Sequence, residues 1–352
     1  MNNSETMYMF VGSYTNKDSK GINIFTFHLG TGEIEYFDSV GGIKNPSFLT
    51  VDPNNQYLYA VSETSEGKVA SYEIDQTSGK LSPLSEQTTI GSGPCYLTTN
   101  RRGDCLLAVN YGGGSVCAFP INNGVIGRMT DFVEHQGSSI NLERQEGPHP
   151  HSVVLDLLVQ YAFVPDLGKD KIVIYKFDQE NCRINFHHEI NTLPGAGPRH
   201  LIFHPYKPYA YVINELDSTI TVYYQNTLGH LTPIQSISAV PILFKGNTCA
   251  DIHIAPSGKF LYCSNRGHDS IAIYSIDHET GKLKFIDYTS TRGKTPRNFC
   301  LSPNGKYLIV ANQDSDSIVT FEIDQKTGQL SEPISTVNIS EPVCIKFMNN
   351  II

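Results

Sequence analysis

A chain of 352 residues, 39% hydrophobic and 17% charged, carries enough apolar material for one large core or two domains, which excludes a disordered or coiled-coil protein. With 26 Lys+Arg against 35 Asp+Glu, a formal charge of −9 and no basic stripe, nucleic acid is excluded as a partner. Apolar runs of only a few residues, and a start at Met1-Asn2-Asn3-Ser4-Glu5 without a basic-then-apolar segment, predict no membrane partner and a soluble, unsecreted, cytoplasmic protein.

The first predicted element, Met7 to Tyr14, is an apolar strand. A template begins at Pro46. Pro46-Ser47-Phe48-Leu49-Thr50-Val51 reads as a strand, Asp52-Pro53-Asn54-Asn55 as a turn, and Tyr57-Leu58-Tyr59-Ala60-Val61 as a second strand ending on Ser62. A third strand reaches Ile74, a turn follows at Gly79, and a weaker fourth strand leads to the next anchor. The template returns at Pro94, Pro150, Pro198, Cys249, Pro296 and Pro342, at intervals of 46 to 56 residues by subtraction of anchor positions. Small polar residues recur at the end of the second strand: Ser62, Asn110, Asp166, Asn214, Asn265 and Asn312. The segment from Val133 to Glu146 departs from the template and lengthens the connection into Pro150, either shaping the mouth it enters or forming a plain surface loop.

Such units cannot bury both faces alone, and radial stacking leaves only short outer edges. The prediction is therefore all-β: a seven-bladed β-propeller of four-stranded antiparallel blades, one domain over residues 1–352. Met7 to Tyr14 lacks a first strand and Pro342 to Phe347 lacks a second, so pairing of the N- and C-terminal strands is expected to close the ring. The eight cysteines are scattered singly, several within apolar runs, and are expected to be buried free thiols in a reducing compartment.

Antiparallel pairing of the first two strands places the start of one and the end of the other at the same mouth of the channel. Ser47, Cys95, His151, Arg199, Ala250, Arg297 and Val343 form one expected ring, and Glu63, Tyr111, Leu167, Glu215, Arg266 and Gln313 another. Residues shared by all repeats serve the fold, so the unique polar ones, His151, Arg199, Glu215, Arg266 and Arg297, are the candidates for chemistry. Arginines with a carboxylate and an imidazole suit an anionic ligand whose carbonyl is attacked by water: Glu215 or His151 as general base, Arg199 or Arg266 as oxyanion donor. Arg297, His200 and Asp166 are the expected substrate-binding residues. The structural alternative is an Arg199–Glu215 ion pair within one hairpin, with Arg266 and Arg297 as struts to Glu63 or Asp269 and His151 as a satisfied turn histidine.

Other features carry less. Gly112-Gly113-Gly114 runs into a strand rather than a helix, so no phosphate loop is expected. His149, His151, His200, His204 and His253 do not share one end of a blade, His187-His188 falls on an outer strand, and neither a metal nor a cofactor is expected. No Gly-x-Ser-x-Gly elbow is present, and no cysteine is recognisable beside a candidate base.

The phrases Gly147-Pro148-His149-Pro150-His151-Ser152, Gly197-Pro198-Arg199-His200, Asn214-Glu215-Leu216-Asp217-Ser218, Ala250-Asp251-Ile252-His253 and Ser264-Asn265-Arg266-Gly267-His268 resemble those of the seven-bladed propeller lactonases. That family includes bacterial phosphogluconolactonases and fungal carboxymuconate-lactonising enzymes. The resemblance spans essentially the whole chain. It implies an active-site set falling on His151, Arg199, Glu215 and Arg266, and a small anionic lactone, 6-phosphogluconolactone foremost, as substrate. A lactonising or isomerising enzyme for an unsaturated dicarboxylate and a non-catalytic propeller stay open at this stage, as does the oligomeric state.

Overall fold

The computed structural model describes residues 6–348, whose strands form seven antiparallel sheets. Helical structure among these residues is a single 3-10 turn, Leu167–Lys169, and no helix is long and apolar enough to cross a membrane. The inner strands of successive sheets pack side by side around a central channel, as the repeat predicts. Closure is by the chain ends: in the first blade Pro342–Phe347 lies innermost and pairs with Thr6–Ser13, Val11 facing Ile345 and Ser13 facing Pro342. The second strands, such as Cys105–Asn110 and Tyr307–Asn312, are buried along their whole length because neighbouring blades cover both faces.

Two blades depart from the template. In the third, Pro120 lacks the N–H that a ladder needs, and the outer strand splits into Val125–Ile126 and Asp131–Glu134 around it, giving five strands. In the fourth, the inner strand shrinks to Val154–Leu155, and Pro150 keeps only an isolated bridge to Asp166.

The turn glycines explain how blades interlock. Gly79 has φ of +65°, and a Cβ there would lie 2.5 Å from the ring of Tyr8 on the preceding blade. An alanine would add about 1–2 kcal/mol of left-handed backbone cost to that clash. Tyr57 covers Gly124 in the same way, as do Tyr161 over Gly229, Tyr209 over Gly281, Phe260 over Gly328 and Tyr307 over Gly32.

At the seam between the third and fourth blades the aromatic position is Cys105 and the glycine position is Cys182, and the two form a disulfide with a Cα–Cα distance of 5.6 Å. The expectation of eight free thiols is corrected here: six are free and buried, and two staple the seam. Alkylation of the unfolded, unreduced protein should label six cysteines, rising to eight after reduction. Closing 77 residues of chain, the bridge is expected to contribute about 4.5 kcal/mol on the loop-entropy account, read as the fall in urea midpoint on reduction. A Cys105→Tyr/Cys182→Gly variant, which copies the other seams, should recover part of it.

Candidate active site

The inner hairpins slip register by one residue just after the anchor. Pro94 faces Asn110 but Tyr96 faces Val109, which leaves Cys95 as a bulge; Arg199 and Arg297 are the extra residues of the fifth and seventh blades. Bulges re-aim side chains, and these occur at the mouth where the sequence places its first ring. The second ring follows the ends of the second strands: Glu63 after Ser62, Tyr111 after Asn110, Glu215 after Asn214.

These rings enclose a cavity of about 200 Å³ lined by Tyr14, Glu63, Cys95, Tyr111, Arg144, His151, Glu215, Arg266 and Arg297. Larger grooves, one of about 440 Å³ bounded by Glu322 to Ser331, lie elsewhere and gather no comparable set of cations. Glu215 is the hub. Its Oε1 accepts from Arg144 Nη2 at 2.6 Å, and its Oε2 meets Arg199 Nε at 3.0 Å and Arg266 Nη2 at 2.9 Å. Burial alone would raise its pKa, but Arg266, Arg199 and Arg144 outweigh that and hold it at about 2. Arg297 stands apart, 3.9 Å from Glu63 and 5.5 Å from the centre of the Tyr14 ring, whose hydroxyl donates to Glu63 at 3.1 Å. Four guanidinium groups thus meet two carboxylates, a local positive excess inside a molecule of net negative charge.

His151 is buried, and its pKa is held well below the usual imidazole value, chiefly by desolvation and then by Arg199, His200 and Arg297. It is a neutral ring at neutral pH. Its Nδ1 lies 3.7 Å from Cys95 Sγ, so a cysteine does stand beside a candidate base, contrary to the sequence expectation. Burial, the main cause, pushes that thiol far above its ordinary pKa, and Sγ also lies 3.6 Å from the His151 carbonyl oxygen and 3.9 Å from that of Pro150. Cys95 is a packed thiol and not a thiolate nucleophile.

A sequence model of the family described as "Lactonase, 7-bladed beta-propeller" matches residues 8–347. The chain belongs to the seven-bladed β-propeller lactonase family. Among lactonase relatives, a 6-phosphogluconolactonase of Bacillus subtilis is 35% identical over 346 residues, covering 97% of this chain and 98% of the relative. One of Formosa agariphila is 38% identical over 301 residues, covering 83% and 85%. The solved structure of a Pseudomonas aeruginosa periplasmic gluconolactonase superposes with a TM-score of 0.93 at 31% identity, over 97% of this chain and 99% of that one.

Of the residues singled out from the sequence, His151, Glu215, Arg266 and Arg297 line the cavity of this lactonase, and three others do not. Arg199 lies beneath, its Nη1 donating to Ala250 O at 2.6 Å and to His200 Nε2 at 3.0 Å. It is therefore both part of the inter-strand ion pair with Glu215 and a support for the cavity floor. His200 is deeper still: accepting from Arg199 at Nε2, it donates from Nδ1 to Asp251 Oδ1 at 2.8 Å, and burial and Arg199 hold its pKa at about 4. Asp251 also accepts from His253 Nε2 at 2.9 Å and from the Asn298 amide.

The substrate-binding expectation for Asp166 is corrected. Fully buried, its carboxylate accepts from His135 Nδ1 at 2.6 Å, His149 N at 2.8 Å, Gly168 N at 3.1 Å and Lys169 N at 3.2 Å. It occupies the repeat-wide position at which Asn110, Asn214, Asn265 and Asn312 bond neighbouring hydroxyls or carbonyls, and it does the same structural work for a longer loop.

Two lining residues lie outside both rings expected from the sequence. Tyr14 is the seventh member of the second ring, following Ser13 as Glu63 follows Ser62; carrying the template across the joined chain ends would have found it. Arg144 comes from the insertion, which the repeat cannot template. That loop is held by Gln145 Nε2 donating to Leu167 O at 2.8 Å, by Ser139 Oγ donating to Asp170 at 2.6 Å and by buried His135.

Proposed function

We propose that this lactonase hydrolyses an anionic sugar lactone, 6-phosphogluconolactone foremost, by water attack at the ring carbonyl with His151 as general base. The observation that carries the reading is a neutral, buried imidazole set among a surplus of guanidinium groups in one small cavity. Arg266 and Arg297, which face the cavity, supply the field for the developing oxyanion and for the substrate's anionic group. Arg199 and Glu215 position them from below and beside. The water oxygen bonds to the carbonyl carbon as its proton passes to His151; the ring C–O bond then breaks, and the same proton goes to the departing ring oxygen as a hydroxyl. Glu215, firmly ionised, serves to hold arginines and is a poor base at neutral pH.

A second reading, an unphosphorylated sugar lactone in an oxidising compartment, is favoured by the Cys105–Cys182 bridge, because such bonds persist outside the cytoplasm. Initial rates on freshly generated 6-phosphogluconolactone and on glucono-δ-lactone, each above its spontaneous rate, separate the two. A kcat/KM preference for the phosphorylated lactone supports the first and its cytoplasmic setting; the reverse preference supports the second. Background rates on both would overturn the hydrolase reading and move the muconate-type and non-catalytic alternatives ahead of it.

A further inference from the structure

Away from the cavity, the seams between blades repeat a polar contact. A side chain on the outer strand, one residue past its bulge where the template holds, reaches the outer turn of the next blade. Ser85 Oγ accepts from Ile126 N at 2.9 Å, Asp131 from Ile184 N at 2.8 Å, and Ser335 Oγ from Ile34 N at 3.4 Å. Gln235 exchanges two hydrogen bonds with the Leu283 backbone at 2.7 and 2.8 Å, and Gln329 Nε2 donates to Asp287 at 3.5 Å.

Where the fourth blade meets the fifth, the residue at this position is His188, opposite Ile174 as Asp287 is opposite Ile273. Both its ring nitrogens are closed off from solvent and have no hydrogen-bond partner among the described residues. Leaving polar atoms buried and unpaired is costly, so two such nitrogens on one ring call for a group that satisfies them.

Two further imidazoles converge there. The bulge residue itself is His187, where the corresponding residues of other blades are the apolar Phe37, Leu84, Ile234, Ile286 and Ile334. His230 reaches in from the turn of the fifth blade, its ring centre 4.0 Å from that of His188 and 5.7 Å from that of His187. One nitrogen from each ring lies within 4.8 Å of the others. His187 Nε2 donates to Leu228 O at 3.0 Å, a bond to the next blade that fixes the tautomer and leaves the Nδ1 lone pair free, as second-shell carbonyls do for metal-bound histidines.

We infer that His187, His188 and His230 form a three-imidazole site for a divalent transition ion of the zinc class, clipping the fourth blade to the fifth. Imidazole ligands without thiolate or clustered carboxylate select Zn²⁺ and its neighbours over Mg²⁺ or Ca²⁺. Zn–N bonds of about 2.0–2.1 Å require nitrogens ~3.3 Å apart, so the rings must draw together on binding, and His230 is the exposed one of the three. Water completes the shell.

The test is Zn²⁺ titration of tag-free, chelator-dialysed protein, with Co²⁺ as the spectroscopic probe and thermal midpoint as a second readout. His188→Ser and His230→Gln are the variants, because each copies the residue at that position in another blade and keeps the fold. The expected result is one Zn²⁺ per chain, a visible d–d band of imidazole-bound Co²⁺ and a higher midpoint with Zn²⁺. Both variants should bind ~100-fold or more weakly, at or beyond the cost of losing an outer-shell partner, and lose the midpoint shift. Wild type that takes up no stoichiometric Zn²⁺, or variants that bind it as wild type does, would overturn the site.

Discussion

His151→Gln is expected to lower kcat for sugar-lactone hydrolysis by about 10²–10⁴-fold, the usual contribution of a positioned general base, with KM little changed. Glutamine keeps a polar group at the site but cannot carry a proton between water and the ring oxygen. The wild-type pH profile follows from the same residue. Only the neutral ring accepts a proton, so activity is lost as pH falls through the pKa of His151, which burial and its cationic neighbours hold well below 6.5. On the acid side, kcat/KM should therefore stay level from pH 7 down past 6.5. A pH-stat assay corrected for spontaneous hydrolysis measures both. An acid limb centred near pH 6.5, or a His151→Gln enzyme with undiminished kcat, would remove His151 from the role of base.

Glu215→Gln is expected to act on stability as well as rate. It leaves Arg144, Arg199 and Arg266 around a neutral amide, with Arg199 and the former carboxylate only 2% and 4% exposed. Breaking a buried pair by removing one partner costs about 3–5 kcal/mol, measurable as a lower urea midpoint at unchanged slope. Wild type gains its Glu215 contribution above the ordinary carboxylate pKa of 4.5 and loses it as pH falls toward about 2; the variant has no such dependence. Turnover should fall with it as the arginines lose their common anchor. A variant with wild-type stability and a lost kcat would instead make Glu215 the base.

The ring of blades was legible because the repeat is written in residues with one structural task each: a proline anchor, a small polar residue closing the second strand, a glycine after the third. The cavity lining was legible where it broke that repeat, as at His151 and Glu215. Asp166 differs from its counterparts in residue type but not in task. It stands at a position every blade fills with a small polar residue, and the rule that shared positions serve the fold applied to it as well. Arg144 had no template position from which its reach could be judged. The disulfide was written in the sequence as two cysteines at the aromatic and glycine positions of one seam, but that pairing rule acquires meaning only when blades are seen side by side. Arg199 was expected in the first ring, yet strand register alone does not distinguish a side chain that faces the cavity from one that supports its floor.

Tyr14, one wall of the cavity, donates its backbone N–H to Glu341 O at 3.1 Å, immediately before the strand that closes the ring. Synthesis runs from the N-terminus, at roughly 5–20 residues per second, so this wall waits for the far end of the chain. During translation six sheets can form in turn while Thr6–Ser13 holds an open edge. The cavity lacks this wall's anchor until Pro342–Phe347 emerges, and that open edge is the interval in which a chaperone has most to protect.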